Sequence, residues 1–68
     1  MMPKYERYDR VLVEDPRTGE CLSGEITLVW DPVYDRDQFY EVWLDGQDPG
    51  DMPHQIPEGY ILRKEAKN

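Results

Sequence analysis

The chain has 68 residues, with 15 Asp and Glu against 8 Lys and Arg, so its formal net charge is −7. This length suffices for one small domain, which buries only about 60% of the surface of the unfolded chain. Six prolines and five glycines argue against a helical bundle and favour short elements joined by many turns. We therefore predict a single domain over residues 1–68, with partly ordered tails at residues 1–9 and 64–68.

The composition also indicates the compartment. No run approaches the ~18 consecutive apolar residues of a membrane span, and residues 1–7 lack the apolar core of a secretory signal. The single cysteine, Cys21, excludes an internal disulfide bond. We expect a soluble, cytoplasmic protein with no membrane partner.

Two strands carry the clearest alternation of apolar and polar residues. A first strand over residues 10–13 is rich in β-formers, and residues 21–30 then follow a period of two. The inner face predicted for this second strand consists of Leu22, Gly24, Ile26, Leu28 and Trp30. Gly24 is expected to mark a bulge or a sharp bend.

The third strand is predicted over residues 38–44, with its side chains divided between two faces. Tyr40, Val42 and Leu44 are predicted to point inward. The opposite face is predicted to carry Phe39, Glu41 and Trp43 of this strand together with Glu25 and Val29 of the second strand.

The remaining elements are short. Turns are predicted at residues 14–20, 31–37 and 45–51. Residues 52–56 are predicted to form a short edge strand despite Pro53. Residues 57–59 are predicted to form a single 3-10 turn, and residues 60–63 are predicted to form the last strand. A terminal helix over residues 57–67 is the alternative, but Gly59 and the absence of an apolar period of 3.6 oppose it.

The second half of the chain resembles an SH3 domain. The resemblance is carried by Phe39-Tyr40, by the hairpin from Asp45-Gly46 to Gly50-Asp51, and by Ile56-Pro57-Glu58-Gly59-Tyr60-Ile61. It implies an all-β fold, a small five-stranded SH3-like barrel with a single 3-10 turn before the last strand. It also implies a groove for proline-rich peptides lined by Pro57, Tyr60 and one of Phe39 or Tyr40. The opening Ala-Leu-Tyr-Asp-Tyr motif of the family is absent, and its long acidic loop is replaced by the turn at residues 14–20.

Catalytic and metal chemistry have little support in the sequence. Cys21 and His54 are the only cysteine and histidine, and no signature joins them as a nucleophile pair. Neither Asp45-x-x-Asp48-x-x-Asp51 nor the aspartates of residues 31–37 have the spacing of a calcium loop, and zinc needs more ligands. We expect no enzyme activity, no metal and no cofactor.

The distribution of charge argues against direct binding of nucleic acid by the body of the barrel. Residues 11–60 contain twelve acids and two bases, whereas both ends of the chain are basic. An acidic body repels phosphate and attracts basic partners.

The hypothesis favoured by these patterns is a non-catalytic protein–protein interaction module, either an adaptor or a small regulatory subunit. The predicted contacts to a basic and partly apolar partner are Phe39, Trp43, Pro57 and Tyr60, with Glu41, Asp45 and Asp48 as an acidic rim. The outward aromatics are equally compatible with cover by the N-terminal segment, through Tyr5 or Tyr8. The alternative function is an acidic, phage-type inhibitor that imitates nucleic acid. We expect a monomer or a weak homodimer.

Overall fold

Five antiparallel strands and one 3-10 turn make up the fold, which a computed structural model describes for residues 3–30 and 38–65. The strands are β1 Arg10–Glu14, β2 Cys21–Val29, β3 Phe39–Leu44, β4 His54–Pro57 and β5 Ile61–Lys64, and the 3-10 turn is Glu58–Tyr60. The all-β prediction and the 3-10 turn before the last strand are confirmed. The alternative terminal helix is not formed, because residues 61–64 are a strand. The predicted turn at residues 31–37 lies outside the described residues.

The five strands form one sheet in the order β4-β3-β2-β1-β5, curled into a half-barrel. Hairpins join β1 to β2, β2 to β3 and β3 to β4, whereas the 3-10 turn carries the chain from β4 across to the free side of β1. This arrangement is compatible with an SH3-like small barrel. None of the described residues forms a helix long and apolar enough to cross a membrane.

The core lies on the concave side of the curled sheet. It receives alternate residues from β1 and β3 and single residues from the other strands, as the period of two requires. Its buried members are Val11, Val13, Ile26, Tyr40, Val42, Leu44, Ile56 and Ile61. Each fully buried apolar side chain contributes roughly 1.5–3 kcal/mol, so this small set supplies much of the driving force for folding.

A β-bulge in β2 changes which side chains face the core. Ile26 lies opposite Val42, but Leu28 lies opposite Glu41, so Thr27 is an extra residue in the ladder. The bulge reverses the alternation beyond Thr27. The prediction that Leu28 and Trp30 point inward and Val29 outward is therefore wrong, because Val29 packs against the core while Leu28 and Trp30 are exposed.

The bulge predicted as one of two roles for Gly24 does not lie at that residue. The register irregularity falls between Ile26 and Leu28, not at Gly24. A Cβ atom at Gly24 would lie 2.6 Å from the carbonyl oxygen of Trp43 and 2.8 Å from Cγ1 of Val42. Glycine is required there because β3 passes too close for any side chain.

The two prolines at the edge strand β4, Pro53 and Pro57, interrupt no hydrogen bond of the sheet. The Glu58 N–H donates to the Gln38 carbonyl at 2.9 Å, so alternate residues of β4, His54 and Ile56, direct their backbone groups toward β3. Pro53 and Pro57 then occupy positions whose N–H would point away from the sheet. Their missing donors cost no ladder hydrogen bond and leave the edge a poor template for another strand.

Candidate interaction surface

The convex side of β2 and β3 carries three aromatic residues that the core does not use, Trp30, Phe39 and Trp43. Phe39, Glu41 and Trp43 alternate with the buried residues of β3 and are half-buried. On β2, Leu28 lies opposite Glu41, and the bulge adds Trp30 to the same side. We call Leu28, Trp30, Phe39, Glu41 and Trp43 the outer β2–β3 face.

Leu28 and Trp30 are the most accessible apolar residues of this face, with 39% and 44% of their surface exposed. The unbroken alternation of residues 21–30 predicts both in the core, so neither is among the predicted partner contacts. The run Leu28-Val29-Trp30 is apolar throughout, so either phase of the alternation fits its residue types. Only the bulge at Thr27 decides between the two phases.

Hydrogen bonds hold Trp30 in place on the surface. Its indole N–H donates to Oε2 of Glu41 at 2.9 Å, and its backbone N–H donates to the carbonyl of Phe39 at 3.1 Å. The side-chain amide of Gln38 donates to the carbonyl oxygens of both Trp30 and Phe39. The indole ring is therefore fixed beside a carboxylate while much of its surface stays open to solvent.

The residues that the SH3 resemblance implies for a peptide groove differ in their accessibility. Pro57 lies opposite Phe39 in the β3–β4 ladder, and Tyr60, in the 3-10 turn, is 39% exposed. Tyr40 is completely buried, so it cannot contact a ligand. Of the two aromatics considered for the groove, only Phe39 remains available.

The predicted acidic rim divides into residues with different environments. Asp45 accepts two hydrogen bonds from the guanidinium of Arg10, one of them at 3.0 Å. This pairing raises the pKa of Arg10 and lowers the pKa of Asp45. Asp48 is exposed in the β3–β4 turn, and Glu41 lies within the outer β2–β3 face. Only Glu41 touches one of the exposed aromatics of that face.

A second polar cluster ties the N-terminal segment to the opposite, concave side of the sheet. The buried Tyr40 hydroxyl donates to Oε2 of Glu58 at 2.6 Å and accepts the Tyr5 N–H at 3.3 Å. Burial and the Glu58 carboxylate raise the pKa of Tyr40 to about 12. The Tyr5 ring packs edge-on against Tyr40, with ring centroids 5.6 Å apart. Tyr5 therefore covers the core side and not the side that carries Phe39 and Trp43.

Tyr8, the other residue considered as a cover, points into solvent. It is 57% exposed and adopts a positive φ of 76°, while the Arg7 guanidinium lies 5.0 Å from its ring centroid. Its backbone N–H donates to the Ile26 carbonyl at 2.7 Å, and the Ile26 N–H donates to the Asp9 carbonyl at 2.9 Å, so this segment lies beside β2.

An open depression of about 550 Å³ lies between the β1–β2 turn and β4, lined by Asp15, Pro16, Arg17 and residues 51–56. Nη2 of Arg17 and Nδ1 of His54 are 3.5 Å apart there. Cys21 is exposed, in the β1–β2 ladder opposite Glu14. His54 thus contacts an arginine and not the cysteine. Within residues 3–30 and 38–65, no three ligating side chains are grouped as a metal site; the aspartates at 31, 35 and 37 lie outside these ranges.

Comparisons of the chain with protein-family models, with curated proteins and with solved structures give no match. The fold alone defines the structural class, a small all-β protein with a curled, five-stranded antiparallel sheet.

Proposed function

We propose that the protein is a non-catalytic protein-binding module, acting as an adaptor or small regulatory subunit through its outer β2–β3 face. The observation that carries this proposal is the position of Leu28 and Trp30, exposed side by side with the half-buried Phe39 and Trp43 on the adjacent strand. Tryptophan residues in a contiguous apolar patch are the usual anchors of protein interfaces.

The chemistry of the face favours a partner that is basic and partly apolar. Glu41 lies among the aromatic residues, and Glu25 lies opposite Trp43 on the same side of the sheet. The ion pairs within the described residues, Arg10–Asp45, Arg17–Asp15 and Lys64–Asp9, include neither of these glutamates. With a chain charge of −7, long-range attraction accelerates the approach of a basic surface.

Pro57 and Tyr60 extend the proposed surface toward the 3-10 turn. Pro57 stands opposite Phe39, and the exposed Tyr60 follows three residues later. We propose that they enlarge the contact area at the β4 side, whereas Asp48 contributes charge from the β3–β4 turn.

The proposal is tested by affinity capture from native host extract with the Trp43→Ala and Trp30→Ala variants. The matched control is Leu62→Ala, which removes an exposed apolar side chain from β5 on the far side of the sheet. We expect the two tryptophan variants to lose partners that the control retains. Thermal unfolding of each variant separates loss of contact from loss of fold. Retention of every partner by folded variants of both tryptophans would refute the proposal.

The alternative, an inhibitor that imitates nucleic acid, needs rows of free surface carboxylates. Asp9 and Asp15 are buried, and both are paired with basic residues, as is Asp45. These contacts leave fewer free carboxylates to imitate phosphates, and we therefore favour the protein-binding function.

A further inference from the structure

We infer that the outer β2–β3 face recognises an arginine side chain of its partner, which stacks on the Trp30 indole and hydrogen-bonds to the Glu41 carboxylate. This inference rests on the proposed function and names the chemistry of its anchor. It starts from the hydrogen bond between an exposed tryptophan and a carboxylate that lies among the apolar residues of this face.

The Trp30 ring is positioned before any ligand arrives. Its N–H is engaged by Glu41 Oε2 at 2.9 Å, and its backbone is bonded to β3. A side chain fixed in this way loses little rotamer freedom on binding. Because the ring is still 44% exposed, a flat group can approach it.

The Glu41 carboxylate gives the site its preference for a cation. One oxygen accepts the indole N–H, and a carboxylate has further acceptor positions on its second oxygen, Oε1. A cation above an indole ring is attracted by the π-electrons within about 6 Å of the ring centroid. At Trp30 such a cation would also lie within reach of Glu41, so the two attractions act on the same group.

The combination favours arginine over lysine. A guanidinium is planar and stacks on an aromatic ring, and its N–H donors then point outward in the guanidinium plane, parallel to the ring, from where they can reach a carboxylate beside the ring. An ammonium group is more strongly hydrated and does not stack. Leu28, opposite Glu41 in the ladder, and the half-buried Phe39 supply apolar surface for the methylene groups of the arginine side chain.

The test uses the full chain, labelled with ¹⁵N, and a capped glycine pentapeptide that contains two arginines. Binding is followed through the indole N–H signals of Trp30 and Trp43, the two tryptophans of the chain. Parallel titrations use the same peptide with lysine or with citrulline, which keeps the shape of arginine without its charge. We expect a saturable shift of the Trp30 indole with arginine, about threefold weaker affinity with lysine, and no saturable shift with citrulline.

A matched pair of variants assigns the effect to Glu41. Glu41→Gln retains an acceptor for the Trp30 indole but removes the charge, and we expect it to lower the affinity for the arginine peptide about fivefold. Glu20→Gln removes an equal charge from the exposed β1–β2 turn and should change the affinity less than about 1.5-fold. An equal loss of affinity in Glu41→Gln and Glu20→Gln would mean that the peptide is attracted by the net charge of the chain and not by Glu41, and it would overturn the inference.

Two further outcomes separate this inference from the proposed function. Equal binding of the arginine and citrulline peptides would mean purely apolar contact, which overturns the arginine anchor. If the arginine peptide does not bind, but host partners are lost from Trp43→Ala and kept by Glu41→Gln, the arginine anchor is wrong and the protein-binding function stands.

Discussion

Replacement of Tyr40 by Phe removes one hydroxyl from the most deeply buried aromatic residue of the core. That hydroxyl donates to Glu58 at 2.6 Å and accepts the Tyr5 N–H at 3.3 Å. The ring itself is unchanged, so the packing of the core and the edge-on contact with Tyr5 are preserved. The substitution therefore isolates the hydrogen bonds that join the N-terminal segment to the 3-10 turn.

The charged acceptor sets the size of the expected effect. A hydrogen bond to a charged group contributes about 1.5–3 kcal/mol to the free energy of unfolding. The raised pKa of Tyr40, about 12, comes first from burial and then from the Glu58 carboxylate, so it governs the pH dependence of the effect and not its size at pH 7. We expect Tyr40→Phe to lower the free energy of unfolding by about 2 kcal/mol at pH 7.

The effect should depend on pH in one direction only. The pKa of Tyr40 is higher in the folded state, about 12, than the ordinary value of 10.0. Its stabilising contribution is therefore complete below pH 10 and is lost as the pH rises through about 12. The difference in stability between wild type and Tyr40→Phe should be constant below pH 10 and approach zero near pH 12.

Urea unfolding at fixed pH values between 7 and 12 measures this difference directly. Tyr60→Phe is the control, since its hydroxyl belongs to a partly exposed ring and its loss should cost less than about 0.5 kcal/mol. Glu58→Gln combined with Tyr40→Phe completes a double-mutant cycle for the pair. A Tyr40→Phe cost below about 0.5 kcal/mol, or one that does not change up to pH 12, would refute the reasoning.

Three further predictions concern the sheet, and equilibrium unfolding measures each of them. Gly24→Ala should lower the free energy of unfolding by about 2 kcal/mol or more, because the added Cβ would meet the β3 backbone. Gly50→Ala, where the added Cβ meets no atom, should leave the stability almost unchanged. Equal costs for the two variants would contradict this. Val29→Ala should lower the free energy of unfolding by about 1–2 kcal/mol and Leu28→Ala by less, because Val29 packs against the core. The reverse order would place the bulge elsewhere. Asp45→Asn should cost at most about 1 kcal/mol, since its ion pair is largely exposed, and 1 M salt should abolish the cost; a salt-independent cost would assign the effect to packing.

Much of the fold follows from local signals in the chain. The alternation in residues 38–44 correctly predicts Tyr40, Val42 and Leu44 as buried, because one unbroken strand preserves the period of two. The closing segment correctly predicts the 3-10 turn and the last strand, since Pro57 fixes an extended entry (φ −64°, ψ 147°) to the turn.

The errors arise where long-range pairing overrides local pattern. One additional residue, Thr27, reverses the faces of the next three positions, and no residue type in that run indicates it. Asp45 was predicted as part of the acidic rim, and the sheet brings Arg10, from the N-terminal part of the chain, within hydrogen-bonding distance of it, a pairing that no local pattern indicates. Both effects depend on how strands distant in sequence are aligned.

The sequence by itself determined a small all-β chain with an acidic body, the order and approximate positions of its five strands, and the aromatic character of one face. Those properties depend on residue type and short-range order, which act before any tertiary contact forms. The tertiary structure alone decided that Leu28 and Trp30 reach the surface, because the register of β2 against β3 sets the direction of every side chain beyond the bulge. It thereby placed Trp30 beside Glu41, the contact on which the proposed arginine anchor depends.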